Sequence, residues 1–390
     1  MSRYRLNPTM KQVDGLLKHC EHARYLWNLA LEQWGMWVRE RGPTPGFVEQ
    51  CRQLTEARVA EAWLAEGSQT VQQQALRDFD QARKRYFDGA NRRPTWRRAG
   101  VHEGFRIVGP AAQRVEKLNR KWGRVLVPKV GWVRFRLTRA LPAAKSYRIT
   151  LDRVGRWHIA FAAIPRQVTG PGTGGVVGID RGTVVSAALS TGELLSCPGL
   201  TRRERARVEQ LQRGLARSTR GGSRHAKIKA AIARLRAREV DRRTNWVEHT
   251  TTDLARRFDV IRVEDLKIRA MTTSARGTIE QPGRHVRRKA GLNRSILASG
   301  WGKLVARLEQ KAPGRVEKVS PAYTSLICSL CGHCAPESRE SQAIFRCVVC
   351  RYQLNADVNA ARNIAAGRAV IARRETSVSA KREPQPAASP

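Results

Sequence analysis

Two thiol pairs, Cys328-Ser-Leu-Cys331 and Cys347-Val-Val-Cys350, constrain this chain more than any other feature. Each C-x-x-C knuckle presents two thiolates to one tetrahedral ion, and the fifteen residues between the inner cysteines leave room for a short hairpin. The spacing predicts a four-thiolate zinc ribbon. Cys331-Gly-His333-Cys334 is also a C-x-x-C, and His333 offers an imidazole. Gly332 suits the tight turn of a first knuckle and favours Cys328 and Cys331, leaving Cys334 outside. Disulfides are a poor account of eight cysteines in a long chain whose opening, Met1-Ser2-Arg3-Tyr4, has no apolar leader core.

Directly after the thiols comes Asn355-Ala-Asp357-Val-Asn-Ala-Ala-Arg-Asn-Ile. The Ala- and Asn-rich run 358–366 suits a helix with Asp357 at its N-terminal end, where an acid complements the helix dipole. An ordinary N-cap is the plain reading of such an aspartate.

Lys and Arg total 73 against 33 Asp and Glu, a formal charge of +40 over 390 residues. An excess of that size points to a polyanionic partner, and nucleic acid fits better than a membrane surface because no amphipathic anchor stands out. No apolar run is long enough to span a bilayer. The expectation is a soluble, cytoplasmic, nucleoid-associated protein with reduced cysteines.

Residues 3–6 alternate as a short strand that stops at Asn7-Pro8-Thr9. Helical spacing follows over 10–39, with Val13, Leu16, Leu17, Cys20, Ala23, Leu26, Trp27, Ala30 and Leu31 on one side. Further helices are predicted over 47–63 and 70–86. The loop 89–100 sets Arg92, Arg93, Arg97 and Arg98 beside Trp96, a mixture suited to phosphate contact and base stacking or to a solvated basic loop. From 105 to 164 the period becomes two, and several short strands suggest a small β-barrel that absorbs the first strand.

The glycine-rich stretch 168–175 reads as a linker. Beyond it, Val176-Val-Gly-Ile-Asp180 is a buried strand ending in an acid, followed by strands over 184–189 and 193–195. Residues 201–244 read as a basic helical hairpin turning at Gly221-Gly222, with fifteen Lys or Arg against four acids and a preference for a nucleic-acid face. Val260-Ile-Arg-Val-Glu264 is a second strand ending in an acid. Residues 271–294 read as a loop, 295–310 as one helix and 316–321 as a further strand; the tail beyond Gly367 is expected to be disordered. If the sheet brings Asp180, Glu264 and Asp357 together, the three carboxylates repel one another unless divalent cations hold them. Oxygen-only ligands suit two Mg2+ or Mn2+ ions, the arrangement that supports in-line phosphodiester displacement.

The order Gly178-Ile-Asp180-Arg-Gly, Val263-Glu264-Asp265-Leu, Pro321-Ala-Tyr-Thr-Ser-Leu-Ile-Cys328-Ser-Leu-Cys331-Gly, Phe345-Arg-Cys347-Val-Val-Cys350 and Asn355-Ala-Asp357-Val-Asn-Ala-Ala resembles the TnpB family of insertion-sequence proteins, RNA-guided DNA endonucleases related to the miniature type V CRISPR effectors. Arg5-Leu-Asn-Pro-Thr resembles the family's opening. Residues 271–278 and 289–294 look like the branch found beside serine recombinases in actinobacterial elements. The resemblance implies a multidomain α+β protein: a wedge β-barrel from 1–9 and 101–167, a helical recognition domain over 10–100, the linker 168–175, a RuvC nuclease domain of RNase H-like fold from 176–322 and 351–367, and a zinc ribbon over 323–350, ahead of the tail 368–390.

The resemblance also implies a metal-binding catalytic triad of Asp180, Glu264 and Asp357, a guide RNA encoded by the element, and a double-stranded DNA target beside a short flanking motif. Ser68, Gln69, Gln73 and Gln74 fall where the family reads that motif, and glutamine can pair bidentately with adenine. Arg351 stands where the family often has glycine and Leu326 where glutamine is common, which bears on the ribbon's turns. Competing readings are a CRISPR effector using array-derived RNA, a nuclease-dead RNA-guided repressor, which retention of all three acids disfavours, and an unguided zinc-ribbon nucleic-acid binder. Oligomeric state is not encoded in any motif.

Overall fold

The structure, a computed structural model, describes residues 2–36, 42, 44–163 and 166–367. The expected tail 368–390 and the end of the helix expected over 10–39 lie outside the described residues. Two compact units divide the chain, Met1–Pro165 and Arg166–Pro390.

In the first unit, β1 (Ser2–Asn7) buries Tyr4 and Leu6 and exposes the alternating Arg3 and Arg5, as a half-covered strand must. Thr9 then caps α1 (Met10–Gly35) in a reciprocal box with Gln12. Leu16, Cys20, Ala23, Leu26, Ala30 and Leu31 form its buried stripe. The single helix expected over 47–63 is two, α2 (Phe47–Ala60) and α3 (Ala62–Glu66), because Glu61 between them is extended. α4 (Gln69–Phe87) lies against α1, with Phe79 edge-on to Trp27 at 5.4 Å.

Next come β2 (Gly104–Val108), the one-turn α5 (Pro110–Gln113), β3 (Val115–Lys117), β4 (Trp122–Val127), β5 (Gly131–Arg136), β6 (Ser146–Leu151) and β7 (Trp157–Phe161). They form a seven-stranded sheet in the order β2-β6-β7-β1-β5-β4-β3, with β1 antiparallel to both neighbours. Helices and sheet share one apolar core.

The second unit is built on β8 (Val176–Asp180), β9 (Ala187–Leu189) and β10 (Leu194–Leu195), then α6 (Arg202–Ala216), α7 (Ser223–Arg257), β11 (Val260–Glu264), the short α8 (Ile268–Met271), α9 (Val286–Ser299), α10 (Trp301–Lys311) and β12 (Val316–Val319). A two-stranded hairpin, β13 (Ile344–Arg346) and β14 (Gln353–Asn355), precedes α11 (Ala356–Ala366). The main sheet runs β10-β9-β8-β11-β12, with β8, β11 and β12 parallel and the other two strands antiparallel.

Two sequence expectations change here. Residues 286–294, expected as loop, are helical in α9, and Lys289 and Asn293 tie the preceding turn back through the carbonyls of Met271, Thr272 and Thr273. The helix expected over 295–310 is interrupted by Gly300 at φ +73°, which ends α9 in a left-handed turn and starts α10. The glycine-rich segment 168–175 is anchored: Gly172 and Gly174 donate to the Asp259 carboxylate at 2.9 and 2.8 Å, and the Arg315 guanidinium reaches the carbonyls of Val168, Ala255 and Phe258.

Candidate active site

Parallel register places Val263 opposite Ile179, so the next residues, Asp180 and Glu264, stand side by side at the C-terminal edge of β8 and β11. α11 supplies the third acid. It packs so closely over β8 that a Cβ at Gly178 would lie 2.0 Å from the Ala361 carbonyl oxygen, a separation no side chain tolerates. The N-cap of α11 is Asn355, whose side chain accepts from the amides of Asp357 and Val358 at 3.1 and 3.2 Å. Asp357 sits in the first turn with its carboxylate released from capping duty.

The three acids feel one another. Burial, then the negative charges of Glu264 and Asp357, push the Asp180 carboxyl up to about 7. Burial also raises Glu264 and Asp357. Two cations partly offset this: Arg181, itself buried, donates to the Glu264 backbone carbonyl, and Arg339 stands 3.7 Å from Asp357 Oδ1. The Thr324 hydroxyl donates to Glu264 Oε1 at 3.0 Å.

The backbone is tightly packed beside the acids at Gly182, where a Cβ would meet the Val185 carbonyl at 2.7 Å and lie 3.9 Å from Asp357 Oδ2. Three partly desolvated carboxylates, one with its ionisation strongly opposed, fit a hard divalent cation. They are not drawn to thiol-cluster spacing, since among the described residues only the four cysteines gather every donor atom within 4.8 Å.

Those cysteines are Cys328, Cys331, Cys347 and Cys350. Their sulfurs pair at 3.7 Å (Cys328 with Cys350) and 3.6 Å (Cys331 with Cys347), against about 3.8 Å between ligands of a tetrahedron with Zn–S bonds of about 2.3 Å. Against the effect of burial, the amides of Cys350 and Val349 and the neighbouring thiols bring the Cys347 thiol down to about 6, so a thiolate is at hand. Cys334 and His333 stay outside the cluster. The two knuckles turn alike: Gly332 donates to the Cys328 carbonyl with φ +80°, and Arg351 to the Cys347 carbonyl with φ +60°. Arg351 therefore holds a left-handed conformation that glycine adopts freely.

The residues expected to contact nucleic acid lie in the first unit and scatter in exposure. Arg92, Arg98 and Trp96 are exposed, and Arg93 lies over Trp34 at 4.8 Å. Arg97 instead stacks on Trp27 at 3.7 Å, and its backbone is bonded both ways to Asn28. Ser68 is buried, Gln69 is exposed, and Gln73 and Gln74 are half-buried.

Sequence reasoning missed Arg181, Thr324, Arg339, Asn359 and Asn363. The asparagines had a signal, four residues apart on one face of a predicted helix. Both are fully buried and bond the chain that leads into the first knuckle.

Family models described as "Probable transposase", "Cas12f1-like, TNB domain" and "Helix-turn-helix domain" match residues 161–275, 301–364 and 2–43. In the last of these the described residues form β1 and one continuous helix. The Escherichia coli K12 protein named "Putative RNA-guided DNA endonuclease InsQ" is 34% identical over 382 residues, covering 95% of this chain and 92% of that protein. The chain belongs to the TnpB family.

A second relative of this TnpB-family chain, from Streptomyces pristinaespiralis and named "Putative RNA-guided DNA endonuclease", is 30% identical over 98% of the chain and 96% of its own length. The kinship with Cas12f is visible locally, in 63 residues that are 49% identical to the Sulfoacidibacillus thermotolerans protein named "CRISPR-associated endodeoxyribonuclease Cas12f1", covering 16% of this chain and 15% of that one. It is also visible in fold: the Cas12f1 chain of a solved complex with sgRNA and target DNA superposes with a TM-score of 0.57 at 13% identity, over 91% of this chain and 82% of that one. Among the described residues no helix of this TnpB-family chain is long and apolar enough to cross a membrane.

Proposed function

We propose that this chain is an RNA-guided DNA endonuclease of an insertion sequence, with Asp180, Glu264 and Asp357 as ligands for divalent cations and Cys328, Cys331, Cys347 and Cys350 as a structural zinc site. The observation that carries the proposal is the raised Asp180 carboxyl, held among two further acids at the C-terminal edge of a parallel strand pair in a protein of net charge +40. A strongly basic protein that concentrates buried negative charge at one point has a use for cations there. The sheet order, with two antiparallel strands beside three parallel ones, resembles the RNase H-like nuclease core. Bound Mg2+ or Mn2+ supplies charge neutralisation and activation of water for phosphodiester hydrolysis.

The protein's own groups do the rest. Asp180 and Glu264 present oxygens from adjacent strand ends, Asp357 presents its own from a helix start, and Arg339 places a cation where phosphate oxygens would approach. Under this reading the seven-stranded sheet is the wedge domain and α1–α4 the recognition domain. Arg92, Arg93, Trp96, Arg98, Gln69, Gln73 and Gln74 are the surface through which RNA or flanking DNA is held, while Arg97 and Ser68 support that surface from beneath.

The deciding experiment purifies the full chain from cells carrying its native flanking DNA, sequences the co-purified RNA, and tests the complex with Mg2+ on a plasmid library of randomised flanks. The expected result is one discrete RNA and cutting beside a fixed motif, lost in Asp180→Ala with the RNA retained. Discrete RNA without cutting would favour a guided repressor. Absence of a discrete RNA would favour an unguided nucleic-acid binder.

A further inference from the structure

Glu264 is the most buried of the three acids, and among the described residues no ion pair to its side chain is seen; Arg181 donates to its backbone carbonyl and acts on the carboxylate only through its nearby charge. What fixes the carboxylate is Thr324. This residue is 2% exposed, and its hydroxyl donates to Glu264 Oε1 at 3.0 Å, with the Pro321 carbonyl at 3.2 Å as the competing acceptor. A hydroxyl has one proton, and an ionised carboxylate attracts it more strongly than a carbonyl does.

Thr324 is itself held from the opposite side. Asn363 donates through Nδ2 to the Thr324 carbonyl at 2.9 Å and to the Ile327 carbonyl at 2.6 Å. Asn359 donates to the same Ile327 carbonyl at 2.8 Å and accepts from the Ser329 amide at 2.9 Å, next to Cys328. Both asparagines belong to α11, which also carries Asp357. Just before Thr324, Tyr323 sits at φ +62°, and its carbonyl closes the turn by accepting from the amides of Leu326 and Ile327. A bulky residue in the left-handed region persists only where its surroundings impose it.

We propose that Thr324 is a positioning residue for Glu264, clamped between that carboxylate and Asn363 so that Glu264, Asp357 and the root of the first thiol knuckle keep one fixed geometry. The inference rests on the reading of Glu264 as a divalent-cation ligand. An acidic ligand free to rotate binds a cation less tightly, because the ordering must then occur on binding. Thr324 touches no substrate; it acts through Glu264.

The test uses the full chain with its co-purified RNA and Mn2+ as the probe, its binding followed by electron paramagnetic resonance without DNA. Thr324→Val keeps the shape and removes the hydroxyl, and Thr324→Ser restores it. A hydrogen bond to a charged group is worth enough to change affinity about tenfold. Thr324→Val is therefore expected to weaken Mn2+ binding about tenfold and shift the Mg2+ dependence of cleavage upward, with zinc content unchanged, while Thr324→Ser stays near wild type. In a Glu264→Gln background, Thr324→Val should have no further effect on Mn2+ binding.

Equal Mn2+ affinity in wild type and Thr324→Val, or an undiminished effect in the Glu264→Gln background, overturns the positioning role. If Thr324→Val loses zinc or fails to fold, Thr324→Ser decides: a serine variant that keeps zinc but binds Mn2+ as poorly as Glu264→Gln also overturns it. Failure of the underlying reading looks different, since Glu264→Gln alone would then bind Mn2+ like wild type.

Discussion

Replacing Asp180 by Asn should stabilise the metal-free protein at pH 8 and abolish its activity. In the folded chain the Asp180 carboxyl is raised from an ordinary 3.8 to about 7, first by burial and then by Glu264 and Asp357. Between those pH values the folded state keeps a proton that the unfolded chain has released, so folding binds protons and stability falls as pH rises. The contribution is harmless below about pH 4 and reaches its full cost above 7. A gap of about three pH units at about 1.4 kcal/mol each sets that cost at about 4 kcal/mol, as an upper bound. Asn carries no charge and avoids it. For a unit of this size about 2–4 °C accompanies each kcal/mol, so Asp180→Asn is expected to melt up to about 16 °C higher than wild type at pH 8 in chelator. The advantage should shrink steadily toward pH 4. Millimolar Mn2+ should stabilise the wild type more than the variant, because only the wild type keeps all three proposed ligands. Thermal melts across pH 4–8, with chelator and with Mn2+, provide the check. A variant no more stable than wild type at pH 8, or an advantage that does not diminish on acidification, would refute the electrostatic reasoning.

Other substitutions probe different parts of the second unit. Cys347→Ser is expected to release bound zinc, measurable by elemental analysis, and to lower the melting temperature. Arg351→Gly should raise stability by about 1 kcal/mol, because glycine holds φ +60° without the steric cost a Cβ imposes there; an unchanged or lowered melt would count against strain at that turn. Gly178→Ala should cost about 3 kcal/mol or prevent folding, since its methyl group collides with the α11 backbone; limited proteolysis reads the loosened helix directly.

Much of the site was legible before any coordinates. The thiol spacing picked out four cysteines that converge, and the hydrophobic runs ending in Asp180 and Glu264 are strands whose ends lie together. The role of Gly332 was readable because a tight turn has few acceptable residues. Other features were hidden for physical reasons. Arg339 and Thr324 act through side-chain contacts across long sequence separations, which leave no periodicity. The break at Gly300 looks like any helical glycine until its φ is known, and the first part of α9, residues 286–294, reads as loop because its sequence is polar, basic and glycine-containing. Arg97 carries the same side chain as its exposed neighbours, and only its stack on Trp27 separates it from them.

The close fit of α11 on β8 also bears on how the chain is made. Asp180 lies on the first strand of its sheet to leave the ribosome, while Asp357 lies on the final helix among the described elements. Until that helix arrives, β8 has no cover on the face where Gly178 waits, and the carboxylate cluster is incomplete. Polypeptides from a message truncated upstream of codon 357 cannot assemble it at all. A nascent or prematurely terminated chain is thus a strongly basic protein without the assembled carboxylate cluster, and translation itself delays that cluster until nearly every described residue has been added.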